Sequence, residues 1–262
     1  MVYKKIRETL PYKSTRVNAA MKSYQSFILM GSLFFLCLAY NVSPGKAQPI
    51  RVGVFGGMDI SSHIHDFRFS NQDIDLNFNP KVAVGYQGGL ILRKDISSTL
   101  RFQAEPSIIL LGARYNDTFL LRGFEFQTKS RTELRYIQLP LLLQLSTQPR
   151  SKTVFGQPFA VTTYHVTGGV FGGYLMDAQF SGTNTGAPIG IAFDGKFSND
   201  ISSQYSDYDG GVILGIGLEH GQQHKLGFET RAQFSVVNSG DDPALNFSTQ
   251  NIAVTFAVYF VL

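Results

Sequence analysis

N-I-A-V-T-F-A-V-Y-F-V-L, the stretch Asn251–Leu262, alternates strictly between two kinds of side chain. Every even-numbered position is large and apolar, whereas the odd-numbered positions are mixed. Successive side chains of a β-strand point to opposite faces, so this segment forms one continuous apolar face. A soluble sandwich rarely carries such an unprotected edge, because it invites aggregation. A transmembrane β-barrel carries it naturally, since its last strand pairs with the first and its apolar face meets lipid.

The N-terminal part of the chain has the features of a secretory signal. Basic residues precede an apolar run, Phe27–Tyr40, and small residues follow as far as Ala47. We therefore predict a leader over residues 1–47 that is cleaved between Ala47 and Gln48, with Met21 as an alternative start. A membrane-anchoring helix is the less favoured alternative, because about 14 apolar residues are too few to span a bilayer. Residues 48–262 then form a single domain.

Without the leader, the charge of the chain changes sign. The whole chain has 23 basic and 19 acidic residues, of which residues 1–47 hold seven and one, so residues 48–262 keep 16 and 18. The basic balance belongs to the leader, and it gives no support to nucleic-acid binding. The one cysteine, Cys37, also lies in the leader. The exported domain therefore has no disulfides, and its stability must come from hydrogen bonding and packing.

Eight segments after the leader match the period-two pattern of a half-buried strand. They are Ile50–Met58, Lys81–Arg93, Thr99–Tyr115, Thr132–Leu145, Phe159–Leu175, Tyr208–Glu219, His224–Val237 and Asn251–Leu262. Most are long enough for a tilted strand to cross a bilayer. Tight turns alternate with long connections, of which residues 176–207 are the longest, as in outer-membrane barrels. The sequence therefore predicts an all-β fold, a single eight-stranded antiparallel up-and-down transmembrane β-barrel.

The two faces of these strands differ in composition, and this predicts the orientation of the barrel. In a soluble lipocalin-type barrel, the apolar face would fill the interior. Here the polar face combines glycines with long charged residues, which suits a narrow interior, while the other face is almost uniformly apolar. We therefore expect lipid outside and charge inside. Glu133 and Arg135 share the face of Ile137, and they fit this orientation only if they lie beyond the hydrocarbon.

The fourth segment carries a family resemblance. Its sequence L-R-Y-I-Q-L-P-L-L-L-Q-L (Leu134–Leu145) resembles the Y-[IL]-x-[IL]-P-L-L-[LI]-[KQ] motif of the PorT-like outer membrane β-barrel family, a Bacteroidetes-type outer membrane protein beta-barrel domain. Phe102–Pro106 is similar to that family's third strand, and Val52–Gly57 fits its opening. The resemblance implies an eight-stranded outer-membrane barrel without a defined biochemical role, one branch of which takes part in protein secretion. Pro140 removes a ladder donor, so we expect a bulge or break in its strand.

Charged residues of the predicted inward face are candidates for interior ion pairs. They are Arg51, Arg93, Arg101, Glu105, Glu219, Glu229 and Arg231, together with His165. An eight-stranded barrel has room inside only for side chains, and buried charges must be paired. The pattern therefore predicts an ion-pair plug, with a gated pore as the alternative.

Two loops carry other candidate residues. His63, His65 and Asp66 follow two serines and suggest a metal or hydrolytic site, but spacing supplies no further partner, so a solvated polar loop is expected. The long connection contains aromatic residues, which either form a recognition surface or fold over the barrel mouth. These are Phe180, Phe193, Phe197, Tyr205 and Tyr208.

The sequence therefore predicts a non-enzymatic bacterial outer-membrane protein, exported through the secretory pathway, with a plugged polar interior and external loops that have structural or recognition roles. We expect outer-membrane lipid and envelope proteins as partners and no nucleic acid. No catalytic residue, cofactor or metal is expected. Three alternatives stay open: a component of a protein-secretion system, a soluble lipocalin-like ligand-binding barrel, and an outer-membrane enzyme with a loop-borne His/Asp site.

Overall fold

The computed structural model describes residues 49–64, 67–70, 74–148, 153–154, 157–158, 161–187, 191–240 and 249–262. The predicted cleavage site between Ala47 and Gln48 lies outside these ranges, as do His65 and Asp66. Within these ranges the fold is antiparallel and all-β, as predicted. No helix in them has the length and apolar character needed to cross a membrane.

Fourteen strands and one short 3-10 helix make up the described part of the chain. The strands are β1 (Arg51–His63), β2 (Phe67–Ser70), β3 (Ile74–Phe78), β4 (Lys81–Asp95), β5 (Leu100–Ala104), β6 (Ser107–Leu121), β7 (Phe124–Ser146), β8 (Thr153–Val154), β9 (Gln157–Pro158), β10 (Val161–Gly186), β11 (Phe193–Asp200), β12 (Tyr208–Gly221), β13 (Lys225–Ser235) and β14 (Asn251–Val261). The 3-10 helix, Ser202–Gln204, lies between β11 and β12. β8 and β9 pair only with each other.

The long strands pair in nearly sequential order. β1 pairs with β4, β4 with β5 and β6, and these two with β7. β7 pairs with β10, β10 with β12, β12 with β13, and β13 with β14. β14 also pairs with β1, with Gly53 opposite Val261 and His63 opposite Asn251. The last strand therefore lies beside the first.

The strand predicted over Thr99–Tyr115 is divided into β5 and β6 at Glu105 and Pro106. Pro140 of β7 lies opposite this interruption, and its carbonyl accepts a hydrogen bond from the Glu105 N–H at 3.0 Å. Proline has no N–H to donate in return, so the ladder cannot continue through this point. The prediction of a break in the strand of Pro140 itself is wrong, because β7 is continuous and the neighbouring strand is the one interrupted.

The prediction of one long loop over residues 176–207 is also wrong. β10 continues to Gly186, and β11 then returns beside it. β7 begins at Phe124 rather than Thr132, and its pairing with β10 extends to Gly186 opposite Phe126, with one register shift between Leu175 and Asp177. These extensions contain few apolar residues, so the apolar–polar alternation that identifies a strand is weak in the sequence. Their backbone hydrogen-bond ladder is nevertheless complete.

The extended strands form a surface that we call the distal sheet. It consists of β11, β2 and β3 with residues 177–186 of β10, 124–135 of β7 and 112–121 of β6, in the order β11-β10-β7-β6-β3-β2. The opposite end of the long strands, which we call the turn end, has tight connections from β4 to β5 and from β12 to β13.

Burial alternates along the long strands and separates two faces. On β14 the odd-numbered residues are buried and the even-numbered residues are mostly exposed. The exposed face carries large apolar side chains, whereas the buried face is ionic near the turn end and apolar near the distal sheet. The apolar cluster consists of Ile109, Leu111, Leu134, Tyr136, Leu175, Ala178, Ile201, Tyr205 and Ala253.

Candidate functional site

Glu219 of β12 is the centre of the ionic cluster at the turn end. Arg93 Nη1 donates to Glu219 Oε2 at 2.8 Å, and Lys225 Nζ donates to Oε1 at 2.6 Å. Arg101 also donates to Oε1, and the Tyr259 hydroxyl donates to Oε2 at 3.3 Å. These groups come from four different strands. The carboxylate therefore links β4 and β5 with β13 and β14 on the buried face.

A second ionic cluster lies next to the first. Arg231 of β13 forms a two-pronged ion pair with Glu105, in which Nη2 donates to Oε1 at 2.7 Å. The same Nη2 donates to Glu229 Oε2 at 3.1 Å. Gln103 joins the clusters, because it accepts a hydrogen bond from Arg93 Nε at 2.7 Å and donates to Glu105. Planar guanidinium groups suit such two-pronged carboxylate pairing, which fixes geometry as well as charge.

Toward the distal sheet, polar contacts join nearby strands on the buried face. The Ser61 hydroxyl of β1 donates to the Gly112 carbonyl of β6 and accepts from the Gly112 N–H, both at 3.0 Å. Thr255 donates to Asp59 Oδ1 at 2.5 Å. β4 lies between β1 and β6, and its pairing with β6 shifts register between Val82 and Gln87, so the Ser61 hydroxyl binds the Gly112 backbone where that ladder is irregular.

The segment after β11 folds inward over the buried face. Ile201 and Tyr205, on either side of the 3-10 helix, are buried in the apolar cluster. The Ile201 N–H donates to the Ala178 carbonyl at 3.0 Å, and Tyr205 forms an isolated antiparallel β-bridge with Gly240. Burial raises the pKa of Tyr205 well above its usual value, so its hydroxyl stays neutral. The segment therefore covers the buried apolar cluster next to the distal sheet.

One face of the distal sheet is aromatic. The Phe119 and Phe126 rings stack at 5.5 Å, and Phe193 of β11 meets Phe126 edge-on at 6.1 Å. Nearer the apolar cluster, Phe180 lies 5.2 Å from Phe197 and 6.1 Å from Tyr115, measured between ring centroids. Such offset and edge-on pairs are favourable geometries for aromatic rings. Phe193 is nevertheless 50% exposed, so the row remains open to solvent at β11.

The other face of the distal sheet is charged. Arg131 pairs with Glu133 at 2.9 Å, and Arg135 pairs with Asp177 at 3.5 Å. Toward the turn end, the same face of β7 and β10 becomes apolar. It then carries Ile137, Leu139 and Leu143 on β7 and Tyr164, Val166, Val170 and Tyr174 on β10, all of them exposed. Glu133 and Arg135 therefore lie on the outward face above the apolar part, which removes the conflict that their sequence positions raised.

Membrane barrels typically have strands with an exposed apolar face, aromatic residues near the ends of that face, and a polar face that is buried. A sequence profile of the outer membrane protein beta-barrel domain family matches residues 46–240. The chain belongs to this family. Family membership places the protein in the bacterial outer membrane, whereas the PorT-like branch is a narrower assignment. No curated protein matches the sequence significantly.

Solved outer-membrane proteins are similar to this family member at the level of overall fold. Ail, the attachment invasion locus protein of Yersinia pestis, is 9% identical with a TM-score of 0.36, covering 82% of this chain and 100% of its own. The N-terminal barrel of Pseudomonas aeruginosa OprF is 9% identical with a TM-score of 0.24, covering 80% and 99%. The Escherichia coli protease OmpT is 8% identical with a TM-score of 0.31, covering 84% and 98%. These values are too low to transfer any function.

The residues predicted as ion-pair partners in this outer-membrane protein occupy different surroundings. Six lie in the two buried clusters: Arg93, Arg101, Glu105, Glu219, Glu229 and Arg231. Arg51 lies at the rim of the turn end, where its side chain is 34% exposed and 3.5 Å from Asp95, and Asp95 in turn lies 3.4 Å from Arg101 of the Glu219 cluster. His165 is buried with Nε2 3.4 Å from Glu229 Oε2.

His63, which the sequence placed in a solvated loop, is instead the last residue of β1 and lies on the buried face. His63 is buried, and its Nδ1 lies 2.9 Å from the Tyr115 hydroxyl. Across the described ranges no group of three or more His, Cys, Asp or Glu side chains is placed to hold a metal ion.

Sequence reasoning missed several members of the ionic clusters, among them Lys225, Gln103 and Tyr259. Lys225 and Gln103 share the parity of the charged residues that were selected on their strands, so face assignment alone could have included them. Tyr259 lies between small residues on the odd-numbered face of β14 and contacts Arg93, whose guanidinium carbon is 5.3 Å from its ring centroid. A large side chain among small ones on a strand's inward face is the signal that could have found it.

Proposed function

We propose that the eight long strand segments close into one up-and-down transmembrane β-barrel of PorT-like type. We further propose that the chain is exported by a cleaved leader, that its interior is plugged, and that it is not an enzyme. Its distal sheet would stand outside the cell and serve structural or recognition roles. The observation that carries this proposal is the change from apolar to charged residues along the outward face of β7 and β10.

The height of the apolar part supports a bilayer-spanning role. Tyr164 and Tyr174 mark its ends on β10, about ten residues apart, which is about 33 Å along a strand at about 3.3 Å per residue. At a strand tilt of about 40° this gives about 25 Å, the height of the apolar band in outer-membrane barrels. Aromatic residues at both ends match the girdles of such barrels. A soluble barrel would instead need its apolar face inside.

The ionic clusters support a plugged interior. Two arginines and a lysine surround Glu219, and a third arginine bridges Glu105 and Glu229. Each pair would have to be broken to open a path for ions, and a buried charge that loses its partner costs about 3–5 kcal/mol. The buried apolar cluster that includes Tyr205 fills the other half of the interior. This argues for a closed plug rather than a gated pore.

The distal sheet supports a recognition role. It presents an aromatic face and a charged face well beyond the apolar band, and exposed apolar residues at its tip include Phe124, Ile191 and Phe193. Exposed apolar patches of this kind mark contact surfaces. Envelope or external proteins are therefore the proposed partners besides lipid, while the acidic balance of residues 48–262 disfavours nucleic acid. The engagement of His63 with Tyr115 supports a structural rather than catalytic histidine.

The proposal is tested by membrane fractionation combined with gel mobility. We expect the protein in the outer-membrane fraction, migrating faster in SDS gels before boiling than after. Recovery in the soluble fraction, or mobility that boiling does not change, would overturn the barrel assignment. The same preparation in planar lipid bilayers should show no stepwise ion conductance, and steady conductance of the wild-type protein would replace the plug with a pore. A hydrolytic activity lost in His63→Ala, with gel mobility retained, would favour the enzyme alternative.

A further inference from the structure

We propose that the outer edge of β11 is a strand-addition site for an extended segment of a partner protein. This inference rests on the proposed orientation, in which the distal sheet stands outside the membrane. β11 pairs with β10 through all eight of its residues, from Phe193 opposite Gly186 to Asp200 opposite Gln179. No other described strand pairs with β11, so it is the edge of the sheet on this side.

The pairing register identifies which backbone groups face outward. The Ile201 N–H donates to the Ala178 carbonyl at 3.0 Å, in the same register as the β10–β11 ladder. Hydrogen-bonded pairs alternate along an antiparallel ladder, so Phe193, Gly195, Phe197 and Asn199 bond to β10. The N–H and C=O groups of the residues between them point away from the sheet. These residues are Asp194, Lys196, Ser198 and Asp200.

Only another extended backbone matches this array, because its donors and acceptors repeat at the spacing of a β-strand. Isolated small ligands cannot satisfy alternating N–H and C=O groups over an edge of this length. Natural proteins usually block such an edge with proline, a bulge or a covering segment. β11 contains no proline, and its pairing with β10 runs without a register shift.

The side chains of β11 define the chemistry of the partner. Phe193 and Phe197 lie on the aromatic face, where Phe193 is half exposed and extends the row formed with Phe126. Asp194, Lys196 and Asp200 are exposed on the opposite face. Hydrogen bonds from the Ser202 side chain and backbone lower the pKa of Asp200, which keeps this carboxylate ionised.

The fitting partner segment therefore alternates apolar residues, which contact the phenylalanines, with polar residues that carry basic groups opposite the two aspartates. Cross-strand aromatic–aliphatic pairs and opposite charges both favour such pairing. Backbone hydrogen bonds would supply affinity, and the alternating side chains would supply selectivity.

A designed peptide tests the site directly. The probe is acetyl-Lys-Val-Thr-Val-Glu-Phe-Lys-amide with a fluorescent label, which pairs antiparallel with Asp194–Asp200. Its control carries N-methyl groups on the threonine, the glutamate and the last lysine, which removes the donors that would face β11. Fluorescence anisotropy is measured against the full-length protein purified from outer membranes into lipid nanodiscs. We expect saturable binding of the probe and at least about 10-fold weaker binding of the N-methylated control.

Two substitutions at one position separate edge binding from contact with the rest of the protein. Ser198→Pro removes an outward N–H but no bond to β10, a change that edge strands tolerate. We expect at least about 10-fold weaker peptide binding in this variant, and affinity within about 2-fold of wild type for Ser198→Ala. Equal binding of the peptide to both variants, or no binding to the wild-type protein, would refute the proposal.

Hydrogen exchange supplies a second measurement on the same samples. The amides of Asp194, Lys196 and Ser198 should exchange rapidly in the free protein and slow down when the peptide binds, while those of Gly195 and Phe197 stay protected throughout. Slow exchange of the outward amides without peptide means that the edge is already covered, which refutes the proposal. If that protection depends on protein concentration and disappears with Ser198→Pro, the occupant is a second copy of the chain. If the peptide does not bind but the boiling-dependent gel shift is retained, the edge site is refuted while the barrel assignment is not.

Discussion

The position of Leu141 turns the proposed membrane orientation into a measurable energy. Leu141 lies on the outward face of β7, opposite Val170 of β10. Val170 is four residues from Tyr174, about 13 Å along the strand and about 10 Å in depth at a tilt of about 40°. An apolar band about 25 Å high therefore puts Leu141 within about 3 Å of the bilayer midplane. An arginine there is expected to lower the free energy of unfolding by about 2–4 kcal/mol.

The assay is reversible urea unfolding in phospholipid vesicles, with the folded fraction read from gel mobility, since the chain has no tryptophan to report by fluorescence. Leu120→Arg is the matched control. Leu120 is likewise a leucine on the outward face, where Leu141 is half-buried and Leu120 exposed, but it lies at the far end of β6 in the distal sheet. Its replacement should change stability by no more than about 0.5 kcal/mol. A Leu141→Arg effect that small, or an equally large effect of Leu120→Arg, would refute the orientation.

Four further substitutions, of which Arg51→Gln is a control, test the interior, a turn and the distal sheet. Glu219→Gln should cost about 3–5 kcal/mol in the same titration, because it leaves buried cations uncompensated, while Arg51→Gln at the rim should cost less than about 1 kcal/mol. Gly123 has a φ of 79°, so Gly123→Val should cost about 1–2 kcal/mol as the strain of a left-handed residue; no measurable change would show that the turn adopts another form. Phe126→Ala should expose the distal sheet to protease at low concentrations while the boiling-dependent gel shift persists, and loss of that shift would mean that the row supports the whole barrel.

The sequence predicts the strands of the apolar band well, because there the environment changes from lipid to polar interior at every residue. Tyr164–Tyr174 and Asn251–Val261 alternate for this reason, and their faces follow from parity alone. Beyond the band, both faces of the distal sheet contact water or other protein side chains, so apolar and polar residues alternate less strictly along the strands. Residues 177–186 include only Ala178 and Phe180 as apolar side chains, and the extension of β10 cannot be recognised from such a pattern.

The partners inside the barrel require the register, which a single sequence does not contain. Parity predicts that Arg93 and Glu219 face inward, but they are 126 positions apart, and their relative heights depend on the stagger of the five strands from β4 through β1, β14 and β13 to β12. Arg51 has the same parity and yet lies at the rim, because it is the first residue of β1. The interruption at Glu105 likewise depends on which strand lies next to Pro140. The face to which a side chain points follows from the local sequence, whereas its depth in the structure depends on the pairing register of the whole sheet.

The arrangement of charge and apolar area explains why recognition is expected at the distal sheet and nowhere else in the described structure. Substitutions in the band either place polar groups in hydrocarbon or unpair buried charges, and both cost several kcal/mol. The charged face of the distal sheet carries ion pairs such as Arg135–Asp177 that are about 40% exposed, and pairs of this kind contribute about 1 kcal/mol or less. Side chains there can therefore change with little loss of stability, while the proposed plugged barrel would hold the β11 edge at a fixed height above the membrane.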